Sequence, residues 1–150
     1  MKLTKPQQKN NDRIYAWLHG EPFAENSRDK RPKVPELDAA QVLSGYTPQY
    51  AKDYGAFFTP PDMARTALAM LNLPDDPAIR VLEPATGIGG LVYWLRRLRP
   101  NVRVDACELV QEYHDIGQKL FPEVNWLGHD AWDHLAAIEG QYDFVVANPP

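Results

Sequence analysis

The sequence predicts an α/β fold in which parallel strands alternate with helices. From Gly55 onward, short apolar segments of strand length alternate with longer segments whose apolar residues recur every three or four positions. A glycine-rich turn also joins the first of these predicted strands to the helix that follows it. Such an alternation favours right-handed βαβ units and therefore a parallel sheet.

Four segments predict strands and four predict helices. The predicted strands are AIRVLEPA, VRVDACEL, EVNWLGHD and YDFVVANPP. The predicted helices are TPPDMARTALAMLNL, GGLVYWLRRLRP, VQEYHDIGQKLF and the shorter AWDHLAAI. Met63, Ala67, Met70 and Leu71 recur at helical spacing in the first helix, which predicts that they share one face. The apolar run at 144–147 predicts a buried last strand.

Residues 1–54 are polar and interrupted by prolines, which predicts an N-terminal extension before a domain at 55–150. Within this extension, NNDRIYAWLHG predicts a short helix that begins at Asn11 or Asp12 as N-cap and ends at Gly20. ELDAAQVLSGY predicts a second short helix that Gly45 closes. The remainder is expected to be an irregular linker or surface arm.

Composition narrows the class of protein. No apolar stretch approaches the roughly 20 residues that span a bilayer, and the N-terminus lacks a signal-peptide core, so we expect a cytoplasmic protein without a membrane partner. The single Cys107 excludes an internal disulfide and a cysteine-based zinc cluster. The four histidines show no metal-ligand spacing, so no metal site is predicted. Residues 55–150 hold seven Lys and Arg against thirteen Asp and Glu, which disfavours a stand-alone nucleic-acid binder.

The motif EPATGIGG at positions 83–90 lies between the first strand and its helix. Gly87 and Gly89 would let the backbone of this turn approach a ligand closely. The dinucleotide fingerprint G-x-G-x-x-G would require glycine at the position of Val92, so a nicotinamide dehydrogenase is disfavoured. The lead-in Glu83-Pro84 also points to another class of ligand.

Two carboxylates follow the next two strands. Glu108 ends the second strand, where it could accept hydrogen bonds from both hydroxyls of a ribose. After a glycine-rich first turn, this role is favoured over that of a solvated surface residue. Asp130 follows the third strand at the same predicted sheet edge. Its carboxylate could accept a hydrogen bond from an adenine amine or cap the following helix, and the sequence leaves both roles open.

The fourth predicted strand ends in Asn148-Pro149-Pro150. An asparagine oxygen and a rigidly directed carbonyl are two acceptors that can hold a planar amine by both of its hydrogens. The prolines fix the backbone direction and remove competing donors. Taken alone, the same three residues could simply terminate a strand, but in line with the three preceding positions they favour a site for an amine.

Five motifs in order resemble one enzyme family: GAFFTP, LEPATGIGG, ELV, GHDAWD and NPP. Their order is similar to that of the S-adenosylmethionine-dependent amino-methyltransferases, above all the N6-adenine-specific DNA methyltransferases of restriction-modification systems, phages or mobile elements. The resemblance covers residues 55–150. It implies a Rossmann-like parallel sheet of the class I methyltransferase type, incomplete here, with strands 1–4 in the order 3-2-1-4.

The resemblance implies S-adenosylmethionine as cofactor and assigns the motif residues to it. Those that would close over its methionine end are Phe58, Thr59 and Pro60. Those that would line its amino-acid and sulfonium region are Glu83, Pro84, Ala85, Gly87 and Gly89. Those that would hold its ribose and adenine are Glu108, Leu109, Asp130 and Ala131. Those implied to be catalytic, by holding the target amine and fixing its backbone, are Asn148, Pro149 and Pro150.

The sequence departs from the family pattern after NPP, where an aromatic residue usually follows. We therefore expect the N-terminal, cofactor-binding portion of such an enzyme, with DNA as partner of the complete enzyme and weak or absent DNA binding by this chain alone. A second chain could complete the sheet. Two alternatives remain open: a fragment of an RNA-base or protein-glutamine methyltransferase, and a non-catalytic cofactor-binding or decoy subunit.

Overall fold

The structure, a computed structural model of the 150-residue chain, describes residues 2–48, 57–134 and 139–150. The chain divides into two compact units, Met1–Gly55 and Ala56–Pro150. Two predicted elements fall partly outside the described residues: the first two positions of GAFFTP and the second half of AWDHLAAI. Among the described residues, no helix is long and apolar enough to cross a membrane.

The first unit contains helix α1 (Lys5–His19) and helix α2 (Ala39–Gly45). The predicted N-cap of α1 at Asn11 or Asp12 is wrong, because the helix begins two turns earlier. Thr4 caps it by accepting the backbone N–H of Gln7, whose side chain in turn accepts the backbone N–H of Thr4. The helix ends at Gly20 as predicted, with a left-handed φ of 71°.

Asn11 is buried inside the first unit instead of capping a helix. Its side-chain nitrogen donates to the carbonyl oxygen of Thr47 at 2.8 Å, and its side-chain oxygen accepts the backbone N–H of Thr47 at 2.9 Å. These two bonds satisfy a buried amide that would otherwise cost free energy. Helix α2 begins after the N-cap Asp38 and ends at Gly45, close to the predicted limits.

The second unit is built on a four-stranded parallel sheet. The strands are β1 (Arg80–Glu83), β2 (Arg103–Cys107), β3 (Asn125–Gly128) and β4 (Phe144–Val145). Their order is β3-β2-β1-β4, which confirms the predicted α/β class and the order 3-2-1-4. The described helices of this unit are α3 (Pro61–Met70), α4 (Gly90–Leu98), α5 (Gln111–Leu120) and a 3₁₀ turn at Ala131–His134.

The core lies between the sheet and the helices that cover it. Val81 in β1, Val92 in α4 and Ile116 in α5 are completely buried. Removal of these apolar side chains from water supplies the main stabilisation of the unit, at about 1.5–3 kcal/mol for each large side chain. The strand–helix alternation of the sequence thus produces the layered arrangement that it predicts.

A buried carboxylate on β2 ties the strands together. Asp105 accepts hydrogen bonds from the Tyr142 hydroxyl at 2.6 Å, from the Arg80 guanidinium at 2.9 Å and from the Asn125 amide at 3.1 Å. These donors come from β1, from β3 and from the segment that enters β4. Because a buried carboxylate is costly unless it is paired, the three donors together make its position favourable.

Two predicted apolar surfaces are wrong in detail. Met63 and Met70 on α3 are 62% and 81% exposed, whereas Ala64 and Leu68 form the buried side of this helix. The last strand is not buried throughout, since Val145 is 62% exposed, whereas Phe144 before it is half-buried and Val146 after it is buried. The strand has a neighbour on one side among the described residues, and successive side chains of any strand point to opposite faces.

Candidate functional site

The carboxyl ends of the four strands meet at one edge of the sheet, as the topology requires. Glu83 is the last residue of β1, Glu108 follows β2, Asp130 follows β3 and Asn148 lies shortly after β4. The backbone N–H of Thr86 donates to the carbonyl oxygen of residue 107 at 3.0 Å, which ties the turn after β1 to the end of β2. The sheet therefore brings the four predicted positions to the same edge.

Glu108 is buried and forms two hydrogen bonds with backbone amides. Its Oε2 accepts the N–H of Gly87 at 2.6 Å, and its Oε1 accepts the N–H of Val110 at 2.8 Å. Burial raises the pKa of Glu108, while these two amide bonds act in the opposite direction. Each carboxylate oxygen can accept more than one hydrogen bond, so a ligand hydroxyl can still bind beside the backbone donors.

The glycine-rich turn has no room for side chains at two of its glycine positions. Gly87 has a φ of +60°, and a Cβ atom there would lie 3.0 Å from the ring of Phe58. Gly89 has a φ of +95°, and a Cβ atom there would lie 2.5 Å from the ring of Phe121. The ring of Phe58 therefore lies against the turn, where the family resemblance implies that it closes over a ligand.

Glu83 is the most deeply buried acidic residue of this edge, with 2% of its surface exposed. Its Oε2 has no hydrogen-bond partner among the described residues. Burial raises the pKa of Glu83 to about 8, and the negative charge of Glu108 adds to this effect. A buried acceptor that lacks a partner in the protein is the kind of atom that a bound donor satisfies.

Asp130 performs the capping role that the sequence left open. Its Oδ1 accepts the backbone N–H of Trp132 at 2.9 Å, at the start of the 3₁₀ turn. Leu109, next to Glu108, is 57% exposed, so its side chain is accessible at this sheet edge. Contact of Leu109, Asp130 and Ala131 with an adenine ring stays a prediction.

Asn148 contacts the segment that precedes α3. Its Nδ2 donates to the Thr59 hydroxyl at 3.1 Å and to the carbonyl oxygen of Phe57 at 3.3 Å. The structure thus brings together two motifs that are widely separated in sequence. The motifs predict roles for Thr59 and Asn148 but do not reveal their contact, nor the part of Phe57, whose place as the first residue of FFTP is its only signal in the sequence.

A model of the N-6 DNA methylase family matches residues 40–118, which is more than half of the chain. The chain belongs to the N-6 DNA methylase family. The match begins at α2 and ends within α5, so it includes the glycine-rich turn and Glu108. Membership of this family confirms the resemblance that the five sequence motifs predict.

Among known proteins, the chain is similar to the modification methylase CviBIII of Paramecium bursaria Chlorella virus NC1A. The two are 28% identical over 97 residues, which cover 64% of this chain and 26% of that methylase. The chain thus spans about a quarter of the length of this relative.

Two solved structures have a similar fold. TrmN from Thermus thermophilus matches with a TM-score of 0.53 and 24% identity, over 68% of this chain and 32% of that one. An O-methyltransferase from Bacillus cereus, solved in complex with SAH, matches with a TM-score of 0.51 and 23% identity, over 66% of this chain and 49% of that one. These matches confirm the Rossmann-like methyltransferase fold of the second unit.

Proposed function

We propose that this chain binds S-adenosylmethionine at the carboxyl edge of its sheet and is the cofactor-binding part of an N6-adenine-specific DNA methyltransferase. The observation that carries the proposal is the pair of buried carboxylates, Glu83 and Glu108, beside a turn of positive-φ glycines. The family of the chain supports the same activity. The proposed site lies within residues 55–150.

The side chains at this edge fit the chemistry of the proposed cofactor. S-adenosylmethionine carries an ammonium, a sulfonium, two ribose hydroxyls and an adenine amine, which are cationic groups or hydrogen-bond donors. Glu83 provides a buried carboxyl group whose Oε2 has no partner in the described part of the chain, and Glu108 provides carboxylate oxygens at the end of β2. The close approach of Phe58 to the turn would cover the ligand on one side. The remaining contacts are proposed for Thr59, Pro60, Pro84, Ala85, Leu109, Asp130 and Ala131.

The bound cofactor would supply an activated methyl group, and the protein would position the amine that receives it. Asn148 would accept one hydrogen of the amine through its side-chain oxygen, and Pro149 would accept the other through its carbonyl oxygen. Pro150 would fix the backbone direction beside these two residues. Holding both hydrogens directs the nitrogen lone pair toward the methyl group, so that rate acceleration comes from positioning and exclusion of water.

Adenine in DNA is the proposed target, and its amine would be reached only after the base leaves the stack. Residues 55–150 carry a net negative charge, with seven basic and thirteen acidic residues. DNA affinity depends on neutralising phosphates, so the positive surface for DNA would come from another domain or a second chain. We propose a cytoplasmic location for the same enzyme.

Calorimetric titration of S-adenosylmethionine into the purified chain tests the cofactor site. Saturable binding is expected, and Glu108→Ala should weaken it at least tenfold because the ribose would lose its carboxylate. Gly87→Val should abolish binding, since its side chain would meet the Phe58 ring. Glu139→Ala is the matched control, because Glu139 is exposed. A folded chain without saturable binding would refute the proposal.

A second assay tests the substrate. In the complete enzyme, of which this chain is proposed to be the cofactor-binding part, transfer of a labelled methyl group is expected to DNA that contains adenine and not to DNA in which every adenine is already N6-methylated. Asn148→Ala should reduce transfer while cofactor affinity stays within about twofold, since Asn148 is proposed to hold the amine and not the cofactor. Transfer to RNA or to a glutamine side chain in preference to DNA would favour the alternative substrate classes.

A further inference from the structure

We infer that the hydroxyl of Thr59 orients the side-chain amide of Asn148, so that the amide oxygen is presented to the target amine. This makes Thr59 a positioning residue for the acceptor, in addition to the contact with the cofactor that is proposed for it above. The inference rests on the proposed function, because it concerns the residue proposed there to hold the amine.

The two contacts of Asn148 identify which end of its amide faces the protein. The carbonyl oxygen of Phe57 can only accept a hydrogen bond, so the atom 3.3 Å from it must be the amide nitrogen. The Thr59 hydroxyl, 3.1 Å from the same nitrogen, serves as the second acceptor. With both hydrogens of the nitrogen directed to these groups, the amide oxygen points away from them.

Packing cannot set this orientation, because Asn148 is exposed. An exposed amide rotates about a broad terminal torsion, and its two orientations differ mainly in hydrogen bonding. In the reversed orientation the amide would present N–H donors to the target amine, which also donates. Loss of the Thr59 hydroxyl would therefore populate a state that cannot hold the amine.

Thr59 belongs to a segment with contacts in two directions. One residue earlier, Phe58 lies against Gly87 in the glycine-rich turn and stacks edge-on with Tyr113 at 5.2 Å between ring centroids. One residue later, Pro60 precedes helix α3. The backbone at Thr59 is thus held between the packed ring of Phe58 and the start of α3. This fixes the position from which the Thr59 hydroxyl contacts the Asn148 amide.

Nuclear magnetic resonance of the nitrogen-15-labelled chain tests the contact without any turnover. Asn148→Ala identifies the Asn148 side-chain amide signals by their disappearance. Thr59→Val, which removes the hydroxyl and keeps the shape, should move these signals and speed their exchange with water severalfold. Thr59→Ser should restore them, and Thr66→Val, at an exposed threonine of α3, should leave them unchanged. Unchanged Asn148 signals in Thr59→Val would overturn the inference.

Methyl-transfer kinetics and calorimetry then separate positioning from cofactor binding. In the complete enzyme, Thr59→Val should lower kcat about tenfold, which is more than it raises the Kd for S-adenosylmethionine, and Thr59→Ser should recover most of the loss in kcat. When Asn148→Ala is already present, Thr59→Val should change kcat by less than about twofold, because the two substitutions remove the same function. A loss that lies wholly in the Kd, or that multiplies with Asn148→Ala, would overturn the inference.

The proposed function and this inference fail in different ways. A folded wild-type chain that does not bind S-adenosylmethionine would contradict the proposed function, whatever the Asn148 signals show. A complete enzyme that transfers methyl groups, with a Thr59→Val variant equal to it in kcat, would retain the proposed function and contradict the role of Thr59.

Discussion

The carboxylate of Glu108 accepts the backbone N–H of Gly87, with 2.6 Å between Oε2 and the nitrogen. This bond joins the end of β2 to the glycine-rich turn that follows β1. The other oxygen of the Glu108 carboxylate accepts the N–H of Val110 at 2.8 Å, so the carboxylate also directs the chain toward α5. One side chain therefore shapes two of the turns from which the proposed cofactor site is built.

Glu108→Gln should destabilise the fold by about 1–3 kcal/mol, although it hardly changes the size of the side chain. Two backbone N–H groups need two acceptor oxygens, and a glutamine has one oxygen and one donor group. Urea denaturation monitored by circular dichroism measures the difference. The same exchange at the exposed Glu139 should change stability by less than about 0.5 kcal/mol, and equal effects at both positions would contradict this prediction.

Gly89→Ala should destabilise the chain more than Gly140→Ala. Both glycines have positive φ, +95° and +69°, so both substitutions carry a backbone cost of about 1–2 kcal/mol. Only at Gly89 would the new Cβ meet an aromatic ring, 2.5 Å from Phe121, whereas nothing lies within 4 Å at Gly140. Overpacking should add about 1–3 kcal/mol in urea denaturation. Indistinguishable variants would show that the Phe121 ring moves away without cost.

The free energy of unfolding should fall as the pH rises from about 4.5 to about 8 because of Glu83. Burial raises the pKa of this residue from 4.5 to about 8, so within this window it is ionised in the unfolded chain and protonated in the folded one. The unfolded state then binds fewer protons, and one such group costs up to about 1.4 kcal/mol per pH unit. Below the window both states are protonated, and above it both are ionised.

Glu83→Gln provides the control for this pH dependence, because glutamine does not titrate. Urea denaturation of both proteins at several pH values between 5 and 8 should give a steeper decline for the wild type. The free energy of unfolding of the wild type should therefore fall relative to that of Glu83→Gln as the pH rises. Parallel curves for the two proteins would mean that Glu83 is already ionised in the folded state.

Tyr142→Phe should lower the free energy of unfolding by about 1–3 kcal/mol, because it removes a hydrogen bond to the buried carboxylate of Asp105. Burial, together with this 2.6 Å bond, raises the pKa of Tyr142 to about 12. Thermal or urea denaturation measures the loss. Tyr93→Phe is the control, since among the described residues no hydrogen bond is formed by its hydroxyl. Similar losses in both variants would exclude a special contribution from Asp105.

Elements of the second unit are predicted correctly where the residues that cause them are neighbours in the sequence. The glycines at 87 and 89 and the apolar strands before and after them indicated a strand, a turn and a helix, and all three are present. The sequence predicts the start of α1 too late, because Asn11 and Asp12 are residue types typical of an N-cap. Asn11 instead binds Thr47, a partner 36 positions away that no local pattern reveals.

The spacing of apolar residues also predicts the wrong side of an element as buried. Met63 and Met70 repeat at helical intervals, yet Ala64 and Leu68 face the interior. Several faces of an apolar helix fit the same periodicity, and the choice depends on what packs against it. In the last strand the same limitation applies, since successive side chains point to opposite faces of the sheet and the apolar run does not show which face is covered.

The sequence by itself determined the class of fold and the family to which the chain belongs, because these depend on periodicity and on short motifs. The order of the strands was predicted only through the resemblance to that family. Only the tertiary structure decided that the buried Oε2 of Glu83 has no partner among the described residues, that Glu108 holds the turn at Gly87, and that Thr59 meets Asn148 across 89 positions. Burial and hydrogen-bond partners arise from segments that the folded sheet brings together, and a linear sequence does not contain those distances.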